Sequence, residues 1–192
     1  MISVVVGTFG DPEWREKARC AGESAKGALE VIYSHDTTLA NARNGGGMRA
    51  KGEWICFLDA DDELGDGYIQ HMEEAARSVE GPALIQPATR YVMDGVVRKS
   101  DHLIPAKESI LTSNWMVIGT LVRRDQFMRV RGFQEFPIYE DWDLWIRCIR
   151  DGAALLTQPK SVYVVHERAN SRNNQPPEEQ MRWYKEIRSQ YV

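Results

Sequence analysis

The chain has 192 residues, 43% of them hydrophobic and 27% charged, which fits a globular fold with a continuous core and excludes general disorder. Its 28 acidic residues against 24 basic ones give a net charge of -4, and no basic block marks a nucleic-acid surface, so a nucleic-acid partner is not expected.

Strand and helix signals alternate from the start. Residues 2–6 are a β-branched run ending at Gly7-Thr8-Phe9-Gly10, a strand followed by a loop. Asp11-Pro12-Glu13 reads as a helix start with Asp as N-cap and Pro at N1, and the helix should run to about Lys26 with Gly27 as its stop. Residues 29–33 make a second strand and close a βαβ unit. The next helix, over 39–50, contains Gly45-Gly46-Gly47, each costing about 1 kcal/mol relative to Ala. That cost predicts either a backbone that approaches something closely or a helix only partly formed.

Residues 54–58, Trp54-Ile55-Cys56-Phe57-Leu58, are an apolar run that reads as a strand buried on both faces, and it ends in Asp59-Ala60-Asp61-Asp62. Carboxylates at the C-terminal end of such a strand lie where open α/β sheets bind ligands. Three like charges so close call for an oxygen-preferring divalent cation, which points to a phosphate-bearing ligand.

A helix is expected over 66–79. Residues 83–92 and 96–99, joined by Asp94-Gly95, predict a β-hairpin. Residues 100–113, with Trp115 and Met116 beyond, are the candidate mobile loop over a ligand. A short strand over 119–123 and a short helix over 125–130 follow. Trp142, Trp145, Ile146 and Ile149 form a helical stripe over 139–150, and the two tryptophans read as core anchors. A strand over 161–165 and an amphipathic helix over 178–189 complete the pattern, which is that of an α/β fold without repeats or an internal linker.

Asp59-Ala60-Asp61 alone is a modest signal, but its company is informative. The chain resembles the family 2 glycosyltransferases of the GT-A fold. The resemblance is carried by Ala42-Arg43-Asn44-Gly45 through Leu58-Asp59-Ala60-Asp61-Asp62, Gly119-Thr120-Leu121 through Gly132-Phe133, Glu140-Asp141-Trp142-Asp143-Leu144-Trp145, and His166. It implies an α/β/α sandwich with a mostly parallel central sheet and a small antiparallel hairpin. A single domain is expected over 1–192, with a donor half at 1–100, an acceptor and catalytic half at 101–175, and a C-terminal helix at 176–192.

The resemblance also implies roles. Asp61 would bind Mn²⁺ or Mg²⁺ on the donor diphosphate, His166 would complete the metal site, and Asp59 would lie against the ribose. A cation there would stabilise the charge gained by the leaving nucleoside diphosphate. Asp141 matches the general base that deprotonates a hydroxyl acceptor. Thr8, Asp36 and Arg43 match the nucleotide-binding positions, with Thr8 and Asp36 expected to point into one crevice. Arg168 or Arg172 would contact the diphosphate. Asp62 reads as a cap of the next helix.

The expected activity is inverting, metal-dependent transfer of one sugar, of hexosyltransferase type, from a nucleoside diphosphate sugar, a UDP-sugar by preference. Alternatives are a nucleotidyltransferase on a related sheet, against which stands the lack of Lys or Arg in Gly7-Thr8-Phe9-Gly10-Asp11, and a non-catalytic nucleotide-sugar binding module. The segment after the second strand is shorter than the family's, which leaves the base preference open. Gln180-Met181-Arg182-Trp183 has the wrong spacing for the Gln-x-x-Arg-Trp element of processive synthases and reads as one face of the last helix.

Cys20, Cys56 and Cys148 are odd in number, without metal-type spacing, and read as reduced thiols. Met1-Ile2-Ser3-Val4-Val5-Val6 lacks the basic start of a signal peptide, and no apolar run nears the roughly 20 residues that span a bilayer, so a cytoplasmic location is expected. Homo-oligomer formation is left open.

Overall fold

The computed structural model describes residues 1–101, 110–168, 171 and 175–192. Most of the candidate loop at 100–113 therefore lies outside the described residues, as does Arg172.

Apolar strands assemble into one eight-stranded sheet. It comprises β1 (Ile2–Phe9), β2 (Glu30–Asp36), β3 (Trp54–Leu58), β4 (Glu63–Leu64), β5 (Ala83–Met93), β6 (Val96–Asp101), β7 (Leu121–Arg123) and β8 (Ala154–His166). The order is β2-β1-β3-β7-β5-β8-β4, with β6 paired to β5. The two longest ladders, β5 with β8 and β1 with β2, are parallel. The hairpin of β5 and β6 turns at Asp94 and Gly95, whose φ values of 50° and 75° match the primed turn that Asp-Gly favours.

Helices α1 (Glu13–Glu23), α2 (Leu39–Arg49), α3 (Tyr68–Ala76), α4 (Arg124–Arg129), α5 (Glu140–Arg150) and α6 (Pro177–Ser189) complete the described elements. None is long and apolar enough to cross a membrane. The core is continuous, and Trp54, Phe57, Trp142, Trp145 and Tyr163 are its large anchors, all buried.

Three elements, α1, β8 and β4, depart from the sequence reading, and α2 decides between its two alternatives. Helix α1 stops at Glu23 because Ser24 turns its hydroxyl back on the Ala21 carbonyl, 2.5 Å away, and the same oxygen accepts the Leu64 N–H at 3.0 Å. Helix α2 is continuous through its three glycines. A Cβ on Gly46 would lie 2.3 Å from Val5 Cγ1 and one on Gly47 2.6 Å from Phe127 Cε1, so the close-approach reading holds and partial formation does not.

Strand β8 begins seven residues before the expected start at 161. Its first half was masked by Pro159, which sits in a bulge where the register with β5 jumps from Gln158 to Val162. The two-residue β4 was too short to show a pattern, yet it pairs antiparallel with β8 and folds the Asp59 to Asp62 turn toward His166.

Candidate active site

The buried β3 strand delivers its carboxylates to the end of the sheet, and the four aspartate-turn residues separate by environment. Asp62 is buried and accepts the His166 backbone N–H at 2.9 Å. It therefore fastens the turn to β8. It does not cap α3, whose N-cap is Gly67 with φ of 70°. Burial and then the nearby Asp59 charge push the Asp62 carboxyl well above its usual range. The Asp59 backbone N–H donates to the Tyr163 hydroxyl at 3.1 Å, and Gly119 leaves room for that ring, since a Cβ there would lie 2.1 Å from it.

Arg43 is the electrostatic hub. Its side chain is 3% exposed, with one guanidinium nitrogen 2.5 Å from Asp59 Oδ1 and the other 2.6 Å from Glu140 Oε1. Burial alone would disfavour the cation, but the two carboxylates outweigh it and raise its pKa. Gly7 is required here because a Cβ would lie 2.9 Å from Arg43 Cγ. The sequence offered Arg43 as a nucleotide contact; the structure spends its guanidinium on joining the turn after β3 to the start of α5.

Asp141 stands in the first turn of α5, after Tyr139 in a left-handed conformation with φ of 66°. Its Oδ1 accepts the Trp142 N–H at 2.8 Å and the Asn114 amide at 3.1 Å. Burial first, then the Glu140 charge, push its carboxyl from 3.8 to about 6, against the pull of Arg43. Such a carboxylate is ionised at neutral pH and still basic enough to accept a proton.

Arg43, Asp59, Asp61, Asp62, Glu140, Asp141 and His166 line one cavity of about 390 Å³, with Tyr91, Asn114, Trp115, Met116, Tyr139 and Gln180 among the opposing residues. Five of the eight predicted site residues are thus together. Thr8 and Asp36 are not among that cavity's lining residues. The register pairs Thr8 with His35 and Phe9 with Asp36, so Thr8 and Asp36 leave the sheet on opposite faces, contrary to the shared crevice expected. The Thr8 hydroxyl lies 3.0 Å from His35 Nδ1, while Asp36 folds onto the Thr37 N–H at 2.7 Å.

Sequence reasoning missed Glu140 and Asn114. In the sequence Glu140 is one more charge at a helix start, and only its neighbour Asp141 hints otherwise. Asn114 carried no signal.

The metal reading can be tested on the donor set. Burial and the Asp59 charge raise the Asp61 carboxyl, with Arg168, 3.7 Å away, pulling the other way. The Asp61 carboxyl stays raised despite Arg168, and hard oxygen donors in this setting fit a divalent cation. No group of three metal-ligating side chains occurs among the described residues. His166 Nε2 lies 3.4 Å from Glu63.

An α/β sheet carrying carboxylates at the C-terminal ends of its strands, over a cavity shared with a helix-borne carboxylate, is the GT-A architecture. The chain belongs to the glycosyl transferase family 2, whose model matches residues 15–133. That segment includes Arg43, Asp59 and Asp61 and stops short of Asp141 and His166. The amylovoran biosynthesis glycosyltransferase AmsB of Erwinia amylovora is 27% identical over 148 residues, covering 70% of this chain and 49% of AmsB. The chain thus spans about half the length of that curated relative.

Among solved structures, S. aureus TarS 1-349 in complex with UDP-GlcNAc superposes with a TM-score of 0.61 at 14% identity, covering 97% of this chain and 66% of that one. A further TarS structure gives 0.55 at 12% identity, covering 86% and 36%. These likenesses establish the fold.

Proposed function

We propose that the chain transfers a single sugar from a nucleoside diphosphate sugar to a hydroxyl acceptor with inversion, using Asp141 as general base. Family membership supports sugar transfer. The single observation that carries the base assignment is the Asp141 carboxyl, pushed to about 6 by burial and Glu140, in the same cavity as Asp59 and Asp61.

Each residue has a part that follows from its surroundings. Asp141 takes the acceptor proton as the hydroxyl attacks the anomeric carbon, and one base on one face is the arrangement of an inverting displacement. Asp59, fixed by Arg43 and Tyr163, orients the donor ribose. Asp61, with His166 at the cavity edge, would hold Mn²⁺ or Mg²⁺, which when bound supplies positive charge to the departing diphosphate. Arg43, which lines the cavity, and Thr8, Asp36 and Arg172 are proposed as donor contacts. The UDP-GlcNAc held by the TarS structure favours a UDP-sugar.

Incubating the protein with UDP-sugars and Mn²⁺ tests this reading. UDP release that depends on Mn²⁺ or Mg²⁺ and stops with chelator is expected. Absence of release from every nucleotide sugar tried, with and without saccharide acceptors, would overturn it.

A further inference from the structure

Asp141 lines the cavity, yet its two oxygens are treated differently by the fold. Oδ1 receives both protein donors, the Trp142 N–H and the Asn114 Nδ2. Oδ2 receives no hydrogen bond among the described residues and is left to the cavity. Because a carboxylate can only accept, Asn114 must turn its amide nitrogen toward it, which fixes the orientation of the amide.

The other end of that amide is informative. Asn114 Oδ1 is buried and has no hydrogen-bond partner among the described residues. A buried carbonyl left unpaired costs the fold free energy, and an apolar residue of the same shape would remove that cost. Stability alone therefore does not account for an amide at this position. Its one satisfied contact is with the base.

We propose that Asn114 is a positioning residue for Asp141: its amide N–H occupies Oδ1, fixes the carboxylate plane, and leaves Oδ2 as the single oxygen that takes the acceptor proton. The inference rests on the assignment of Asp141 as base. Asn114 comes from the segment before β7, 27 residues from Asp141, so the contact ties the acceptor side of the cavity to the start of α5. A donor to the ionised form also favours ionisation. The other groups acting on Asp141 are Glu140 and Tyr139 at the start of α5, Arg43 from α2 and Asp59 after β3.

The near-isosteric Asn114→Leu separates positioning from folding. Near pH 4, where Asp141 is protonated in both proteins, its melting temperature is expected to equal or exceed that of the parent protein, because the unpaired carbonyl is gone; at neutral pH the raised Asp141 midpoint lowers it. Carbon-13 NMR of the aspartate carboxyls, with Asp141 assigned by the resonance lost in Asp141→Asn, should show the Asp141 midpoint rising by about one pH unit in Asn114→Leu. UDP release from UDP-GlcNAc, or from whichever UDP-sugar the protein turns over, should fall about tenfold or more in kcat, with donor KM unchanged and the acid limb displaced upward.

An unshifted Asp141 resonance overturns the proposal, as does unchanged kcat. If the variant melts well below the parent near pH 4, where the Asp141 charge is absent from both, the amide is structural and the proposal also fails. A parent protein that releases no UDP refutes the glycosyl-transfer reading instead, and the NMR midpoint then decides the Asn114–Asp141 coupling by itself.

Discussion

Replacing Asp141 with Asn removes a charge that the fold holds at a cost, and the cost can be worked from its surroundings. Asn keeps the shape, and its Oδ1 can still accept from Trp142 N–H and from Asn114. Burial and Glu140 raise the Asp141 carboxyl from 3.8 to about 6 in the folded protein. A change of that size corresponds to a ceiling of about 3 kcal/mol, and partial exposure reduces it to about 1–3 kcal/mol.

The sign follows from proton binding. Between pH 4 and 6 the folded parent protein binds more protons at this site than the unfolded chain, so its stability falls as pH rises through that window. Asp141→Asn has no such loss. Its stability advantage should be absent near pH 4 and fully present above about pH 7, where it corresponds to a melting temperature roughly 2–10 °C higher for a chain of this size. Paired thermal melts across pH 4–8 read this directly. An advantage that is equal at both ends of the range, or a variant less stable at pH 8, would refute the account of the Asp141 environment.

Arg43→Ala should destabilise by about 3–5 kcal/mol, because it breaks a buried ion pair with Glu140, and a denaturant midpoint will show it. Gly46→Ala should cost about 1–3 kcal/mol through its 2.3 Å clash with Val5, whereas Gly45→Ala, whose nearest neighbour is Ser34 Oγ at 3.5 Å, should stabilise by about 0.5–1 kcal/mol; unfolding curves of the pair should differ in sign. Asp61→Ala should remove the Mn²⁺ dependence of UDP binding in calorimetry, and binding that stays equally metal-dependent would displace Asp61 as the ligand. Activity of the parent protein should rise with pH through about 6 and level off above about 7 as Asp141 ionises, and a profile that falls instead would exclude it as a base.

Much of this was legible because it was local. The β3 run and its aspartates announced a buried strand with ligands at its end, and the tryptophan stripe announced α5. The three glycines signalled close approach, although their neighbours, Val5 and Phe127, came only with the fold. Other features depend on distant pairs. Glu140 meets Arg43 across 97 residues, and Asn114 meets Asp141 from a segment with no periodicity. The opposite faces of Thr8 and Asp36 followed from a register that extends β2 to Asp36, beyond its apolar run. Long-range pairing of polar groups leaves no spacing in a sequence, and Asp141 is held by such a pair.

The central claim is that Asp141 accepts the proton during glycosyl transfer. Its most direct measurement compares UDP release by the parent protein and Asp141→Asn at saturating UDP-sugar and Mn²⁺, with donor affinity measured on both. The account predicts unchanged donor affinity and turnover lowered by at least about a hundredfold, the scale of a lost general base. Equal turnover in the two proteins would contradict it.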